Sequence, residues 1–132
     1  MKELKEETPT QRLYWDSEDE IARGELFANV LTEEAAKENV DAQARLRDSL
    51  GRAKTRVLID MTQVTEIRKE ARDYFANEKT ASVQRATALL TASPVSRVIG
   101  NFFMGLNKPV SPTRLFTDPK KAIQWLHTFS DD

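Results

Sequence analysis

The acidic run Asp16-Ser-Glu-Asp-Glu20 is the densest group of side chains in the sequence that could do chemistry. Carboxylates spaced along a loop are the ligands that calcium takes in proteins. The spacing of this run does not match an EF-hand loop, and the run lacks the glycine that such a loop requires. We therefore interpret it as a solvated turn between two strands, and we predict no metal site in the chain.

A second group of chemically capable residues consists of Thr65, Arg68 and Lys69, which lie close together in the sequence. Cations near the start of a helix can help to bind an anion, because the free backbone N–H groups there add positive potential. The neighbouring Glu66 and Glu70 oppose strong anion binding. We predict a ligand or partner loop here, with a solvated turn threonine as the alternative interpretation of Thr65.

The remaining ionisable residues form no catalytic constellation. His127 is the single histidine, falls outside the apolar stripe of the last predicted helix, and is interpreted as solvated. Glu78 lies on the same side of another predicted helix as that helix's apolar residues. It could be a buried carboxylate with a perturbed pKa, or it could reach water or an arginine at the edge of the stripe. No spacing of acids and hydroxyls favours one dyad, so we predict no catalytic residues and a protein that is not an enzyme.

Composition and charge disfavour several functional classes. The chain has 132 residues, with 20 basic and 21 acidic side chains and a formal net charge of −1, so its overall field does not favour nucleic acid. It has no cysteine, which excludes disulfides and thiolate sites, and no cofactor is predicted. The polar start lacks the apolar core of a signal peptide, and no segment approaches the roughly 20 apolar residues of a membrane span. We expect a cytoplasmic protein without stable membrane insertion.

Strand and helix patterns alternate along the chain around the segment 56–75. Val57, Leu58 and Ile59 form an unbroken apolar run of the kind found in buried parallel strands. The predicted order is β-β-α-β-α-β-α-β-α, an α/β fold with a single layer of helices on a mostly parallel sheet and an N-terminal antiparallel hairpin. Residues 1–10 are polar and are predicted to be a disordered tail, and residues 11–130 a single domain.

The third predicted helix, which begins at Ser93-Pro94, has an unusually wide apolar face. Phe103 and Met104 extend that face beyond what one contact with a sheet requires, and surplus apolar surface often marks an interface. We therefore predict a homodimer with Phe103 or Met104 buried between the copies. The alternative, weighed equally, is that Phe103 packs under the proline-rich loop that follows.

The element order and several local motifs resemble the STAS-like (SpoIIAA-like) superfamily, which includes anti-sigma-factor antagonists and cytoplasmic domains of sulfate transporters. The residues that carry this resemblance are Val57-Leu-Ile-Asp60, Val64, Ile67, Ser93-Pro94, Phe116 to Asp118, Ala122, Trp125 and Leu126. Two further elements, Glu70-Ala-Arg72 and Asn101-Phe-Phe103, are similar to those of small uncharacterised bacterial proteins of this superfamily.

The resemblance implies a regulatory domain, but one element of the expected switch is missing. Anti-sigma antagonists carry a phosphorylated serine at the start of the second helix, where this chain has Arg68-Lys69-Glu70. We predict a non-enzymatic interaction or regulatory module of STAS-like type without that serine and with an unidentified protein partner. The alternative is a carrier domain for a small molecule or lipid.

Overall fold

The structure, a computed structural model, describes residues 4–130, which form eight strands and five helices. The strands are β1 Lys5–Glu7, β2 Gln11–Asp16, β3 Ile21–Leu26, β4 Val30–Leu31, β5 Thr55–Asp60, β6 Glu66–Ile67, β7 Gln84–Leu90 and β8 Thr113–Phe116. The helices are α1 Glu33–Leu50, α2 Lys69–Ala76, α3 Glu78–Ala81, α4 Pro94–Asn107 and α5 Pro119–Leu126.

Six of these strands form one mixed sheet in the order β1-β2-β3-β5-β7-β8. Strands β1, β2 and β3 are antiparallel neighbours, whereas β5 runs parallel to β3, and β7 and β8 continue the parallel part. Strands β4 and β6 pair separately as a short parallel ribbon. The α/β fold, the mostly parallel sheet and the N-terminal hairpin that we predicted are confirmed.

The sheet begins earlier in the chain than the sequence indicated. Lys5–Glu7 pairs with β2, so the prediction of a disordered tail does not hold for these residues. The hydroxyls of Thr8 and Thr10 contact the buried amide of Asn39 on α1, which anchors the following turn. A polar segment can therefore be ordered by hydrogen bonds that composition does not reveal. Residues 1–3 of the predicted tail lie outside the described part of the chain.

The tip of the β2–β3 hairpin is held by its own charged side chains. Asp16 accepts hydrogen bonds from the backbone N–H groups of Glu18 and Asp19, and a guanidinium N–H of Arg23 donates to its other oxygen at 2.8 Å. Partial burial raises the pKa of Asp16, but these hydrogen bonds outweigh burial and leave that pKa below its ordinary value. The acidic run is thus a hydrogen-bonded turn between two strands, as predicted.

Helices lie on both faces of the sheet, so the predicted single layer is wrong. Val57 and Ile59 of β5 pack in the cluster that includes α1 and α2, whereas Leu58 packs with Ala122 and Leu126 of α5. Successive side chains of a strand point to opposite faces, and an unbroken apolar run therefore needs cover on both sides. The sequence shows that both faces of β5 must be buried, but it does not show which helix packs on each face.

The helix boundaries follow the capping signals. Thr32 accepts from the backbone N–H of Ala35 at the start of α1, and Gly51 ends that helix in the left-handed conformation with φ of 67°. The second helix is shorter than its apolar stripe suggested, because Ile67 belongs to β6 and Asn77 starts the separate helix α3. Glu78, in the first turn of α3, is exposed, which answers the question of its burial.

A buried arginine ties the hairpin to the end of the chain. The guanidinium of Arg56 at the start of β5 donates to the carbonyl oxygens of Glu20 at 2.9 Å and Phe129 at 3.2 Å. Burial lowers the pKa of Arg56 from its ordinary value. Because a buried charge is costly without hydrogen bonds, these carbonyl groups stabilise both the hairpin turn and the segment after α5.

Helix α4 turns two adjacent aromatic residues in opposite directions. Phe103 is 5% exposed and lies with Phe75 in the interior, whereas Phe102 is 52% exposed. The helix backbone approaches β8 closely at Gly100, where an added Cβ would meet Leu115 at 3.0 Å. At Gly105 an added Cβ would meet nothing within 4 Å, so only the first glycine is required by packing.

Replacing Gly105 with alanine is expected to raise the free energy of unfolding by about 1 kcal/mol, because glycine loses more conformational entropy in a helix. Gly100→Ala is expected to gain less, since its Cβ would crowd Leu115 and Thr91. Urea unfolding followed by circular dichroism measures both differences. An equal gain at the two positions would contradict the close approach of α4 to β8.

Phe103→Ala is expected to lower the free energy of unfolding by about 3–5 kcal/mol, because it leaves a cavity in the interior. Phe102→Ala, the matched control on the outer side, is expected to cost less than about 1 kcal/mol, the loss of its contact with the Arg72 guanidinium. The same unfolding assay distinguishes the two. Similar losses of unfolding free energy for both variants would contradict an α4 that places Phe103 inside and Phe102 outside.

Candidate functional site

The loop between β5 and α2 is tied into the fold by its own hydrogen bonds. Asp60 accepts from the backbone N–H of Thr62 at 2.9 Å. Thr65, which is exposed, donates from its hydroxyl at 3.2 Å and from its backbone N–H at 2.8 Å to the carbonyl oxygen of Asn29. In this structure the Thr65 side chain joins the loop to the segment before β4.

The two cations predicted for this loop are paired with nearby carboxylates. Arg68 lies 3.2 Å from Glu66, and Lys69 lies 2.9 Å from Asp73 one helical turn away. The hydrogen bond from Lys69 holds the pKa of Asp73 below its ordinary value. Such exposed pairs contribute little stability, but they satisfy the cations locally. The predicted loop residues Thr65, Arg68 and Lys69 are thus bound to separate partners and do not form a free cationic site.

The helix N-termini near the carboxyl edge of the sheet are largely closed by capping side chains. At α4, Ser93 accepts from the backbone N–H of Ser96 at 3.1 Å and donates to the carbonyl oxygen of Thr62 at 2.9 Å. At α5, Asp118 accepts from the backbone N–H of Lys120 at 2.9 Å. These caps occupy amides that an anion would otherwise use. The dipole ends of α4 and α5 therefore do not form anion sites by themselves.

An open cleft of about 340 Å³ lies beside these caps, between α4, α5 and the end of β8. Its floor is formed by Leu115 and Phe116. The polar residues that line it are Thr91, Arg97, Asn101, Thr117, Asp118 and Lys121. We call this surface the β8 cleft. It lies at the carboxyl ends of two parallel strands, which is where ligands of open α/β sheets usually bind.

The arginine of the β8 cleft lacks the side-chain partners that the other described arginines have. Arg97, which is exposed, is the one arginine within residues 4–130 whose side chain has no ion pair, hydrogen bond or aromatic contact. Lys121, like several other described lysines, makes no ion pair with a described residue. Neither residue was predicted from the sequence. One signal was present, because the first turns of α4 and α5 contain no acid, although acids are favoured at a helix N-terminus.

A second, smaller cavity lies between the sheet and helices α1, α2 and α4, with a volume of about 60 Å³. Part of its wall is a buried polar network centred on Gln84. The Gln84 amide donates to Gln43 at 2.9 Å and accepts from Thr87 at 2.6 Å and Ser111 at 3.2 Å. The cavity has room for a few water molecules, but it is much smaller than the roughly 300 Å³ of typical small-molecule pockets.

The outer side of α4 carries an exposed apolar stripe. Its members, which we call the α4 outer face, are Val95 at 51% exposure, Val98 at 67%, Phe102 at 52% and Leu106 at 62%. Of the two residues predicted for an interface, Met104 is half-buried and does not belong to this face, and Phe103 is inside the chain. The sequence shows that α4 has a wide apolar stripe, but it does not show which part of that stripe packs against the sheet.

The remaining candidates form no further site in the described part of the chain. The His127 Nε2 atom lies 2.8 Å from the carbonyl oxygen of Asp19, so this histidine contacts the hairpin turn. Within residues 4–130, no group of three or more His, Asp or Glu side chains could hold a metal ion. None of the helices in the same range is both long and apolar enough to cross a lipid bilayer.

Comparison with solved structures supports the fold. An uncharacterised protein of the DUF3478 family from Shewanella loihica, described as having a SpoIIAA-like fold, is similar with a TM-score of 0.54 and 16% identity over 95% of this chain and 92% of that one. A protein of unknown function from Arthrobacter sp. FB24 is 30% identical over 87% of this chain and 97% of that one, with a TM-score of 0.31. The first of these similarities confirms the resemblance to the SpoIIAA-like fold.

Comparison at the level of sequence families gives one assignment. No curated protein matches the chain. A family model described as a domain of unknown function, DUF7793, matches residues 15–130, which is most of the sequence. The match includes the parallel part of the sheet, all five helices, the β8 cleft and the α4 outer face. The chain therefore belongs to the DUF7793 family.

Proposed function

We propose that this chain is a non-enzymatic interaction or regulatory module with a SpoIIAA-like fold, and that it self-associates through the α4 outer face. The observation that carries the proposal is the concentration of exposed apolar surface on one helix. Seven large apolar side chains are exposed among the described residues, and four of them form the α4 outer face. Scattered apolar residues are normal on a protein surface, whereas a contiguous patch usually marks an interface.

A second copy of the same chain is the partner that fits this face best. Helix α4 contains a single charged residue, Arg97, so two copies of the stripe can meet without burying many charges. Dimers commonly form around a two-fold axis that places the same patch of each copy against the other. The net charge of −1 gives little repulsion between copies. Phe103 is not part of this interface, because it packs inside the chain.

The proposed mode of regulation differs from that of anti-sigma antagonists. Helix α2 begins after Arg68, and no side chain caps its first turn. The nearest hydroxyl in the preceding loop is that of Thr65, which donates to a carbonyl oxygen. We therefore place regulation in association between copies or with a protein partner, and not in phosphorylation at the start of α2. Arg68 and Lys69 remain candidates for contact with such a partner, since both are exposed.

The hydrogen bonds made by the described serine and threonine hydroxyls do not favour catalysis. A hydroxyl becomes a nucleophile when a neighbouring histidine or carboxylate accepts its proton. Within residues 4–130, the serine and threonine hydroxyls that donate to another side chain do so to amide or hydroxyl oxygens, as in the pairs formed with Asn39, Gln84 and Ser96. An interaction module requires no such activation.

The alternative of a lipid carrier has less support. The cavity of about 60 Å³ beside Gln84 would have to expand several-fold to hold an acyl chain. Its polar wall also disfavours a hydrocarbon chain. Such a chain would exclude water from the polar groups of the Gln84 network and would offer them no hydrogen bonds in return. Native mass spectrometry of the purified protein tests this alternative, and a co-purified lipid adduct would favour a carrier over the interaction module.

The self-association is tested by sedimentation velocity on wild type, Phe102→Asp and Phe27→Asp. Phe102→Asp is expected to weaken dimerisation by roughly 30-fold or more, because it places a carboxylate at the centre of the apolar face. Phe27 is also an exposed aromatic residue, at 38%, but it directly follows β3 and is not part of the α4 outer face, so it serves as the matched control. The Phe27→Asp variant is expected to retain the wild-type dimer.

Two results would contradict self-association through this face. One is a wild-type protein that remains a monomer up to concentrations of about 500 µM. The other is dissociation of the dimer by Phe27→Asp to the same extent as by Phe102→Asp. Circular dichroism of each variant shows whether the fold is retained, so a change in mass can be assigned to the interface.

A further inference from the structure

We propose that the β8 cleft binds a small molecule that carries a phosphate group, held by Arg97 of α4 and Lys121 of α5. The inference is independent of self-association, because the cleft residues do not belong to the α4 outer face. It rests on the cleft itself, on the unpaired side chain of Arg97 and on the position of Arg97 and Lys121 near the starts of the two helices.

The position of the cleft is the first argument. Strand β8 is the last strand of the sheet, and α4 and α5 lie on opposite faces of it, so their first turns border a gap at the end of the strand. The backbone N–H of Thr91 donates to the carbonyl oxygen of Phe116 at 2.8 Å, which fixes the floor of the gap. The volume of about 340 Å³ is within the range of small-molecule sites.

The unpaired Arg97 is the second argument. The other arginines of residues 4–130 interact with carboxylates, carbonyl oxygens or aromatic rings, as Arg23 does with Asp16 and Arg114 with Phe116. The planar guanidinium of an arginine can donate two parallel hydrogen bonds to a phosphate. An arginine left without a protein partner in a cleft is therefore well suited to an oxyanion ligand.

The placement of the cations in the helices is the third argument. Arg97 lies in the first turns of α4, and Lys121 lies in the first turn of α5. The positive end of a helix dipole repels a cation there and attracts an anion. A bound phosphate would offset that repulsion and would interact favourably with both dipoles.

The composition of the cleft limits the affinity and the kind of ligand. Asp118 also lines the cleft, but one of its oxygens already accepts from Lys120, and its charge offsets one of the two cations. Asn101 and Thr117 add neutral hydrogen-bond donors. A phosphate monoester needs few contacts of this kind, whereas a large polyanion would meet the Asp118 carboxylate. The cleft is also open to solvent, so binding should weaken as salt increases.

The inference is tested by titrating ¹⁵N-labelled protein in NMR at constant ionic strength. The probes are inorganic phosphate, adenosine monophosphate and glucose 6-phosphate, with citrate and acetate as carboxylate comparisons. We expect saturable shifts at the backbone of the cleft residues with at least one phosphate probe below about 20 mM, and weaker binding of the carboxylates. The Phe102→Asp variant is expected to bind equally well, which separates this inference from self-association.

Substitutions identify the residues responsible. Arg97→Gln and Lys121→Gln are each expected to weaken the affinity about tenfold or more, because each removes a charge-assisted hydrogen bond. Lys120→Gln is the matched control, since Lys120 is the preceding exposed lysine of α5 and does not line the cleft. It is expected to change the affinity by less than about twofold.

Several results would overturn the inference. Shifts that do not saturate, or that spread over the whole surface, would show that no phosphate site exists. Equal binding of citrate and phosphate would contradict the ligand class. An effect of Lys120→Gln as large as that of Lys121→Gln would show that the anion responds to general surface charge and not to the β8 cleft.

Discussion

The burial of β5 on both of its faces is the constraint on which the rest of the structure depends. Val57 and Ile59 must be covered from one side and Leu58 from the other, so α1, α2 and α4 pack on one face of the sheet and α5 on the opposite face. The chain therefore has to pass around the sheet at β8. The β8 cleft is a direct result of that passage, because two helices begin there on different sides of one strand.

The polar interior imposes a second requirement on the same layer. The irregular pairing of Thr55 and Arg56 with β7 allows Gln84 to turn toward the helices, where it meets Gln43 of α1 and Ser111 before β8. A buried amide without partners costs free energy, so this network fixes α1 relative to two strands that are distant in sequence. The small cavity beside the network thus accompanies a structural contact, and it does not resemble a chamber for a large ligand.

Local signals in the sequence predicted much of the fold, and contacts between distant segments account for what they missed. Thr32, Gly51 and Ser93 act at helix ends, where chemistry within a few residues decides the outcome. The orientation of Phe103 depended on how a wide apolar helix settles on the sheet, which periodicity cannot decide. Arg97 became notable only because no acidic partner approaches it in three dimensions, a property that no linear pattern records.

The close approach of α4 to β8 at Gly100 affects how the two sides of this helix can influence each other. A Cβ added at Gly100 would lie 3.0 Å from Leu115 and 3.1 Å from Thr91, so the helix backbone packs closely against these side chains. Helix α4 therefore has little freedom to rotate or slide, since packed interfaces resist gradual deformation. Arg97 and Val98 are consecutive residues that lie on different sides of this rigid helix. Communication between the cleft and the outer face would then depend on steric exclusion and on electric potential, and not on a change of backbone shape.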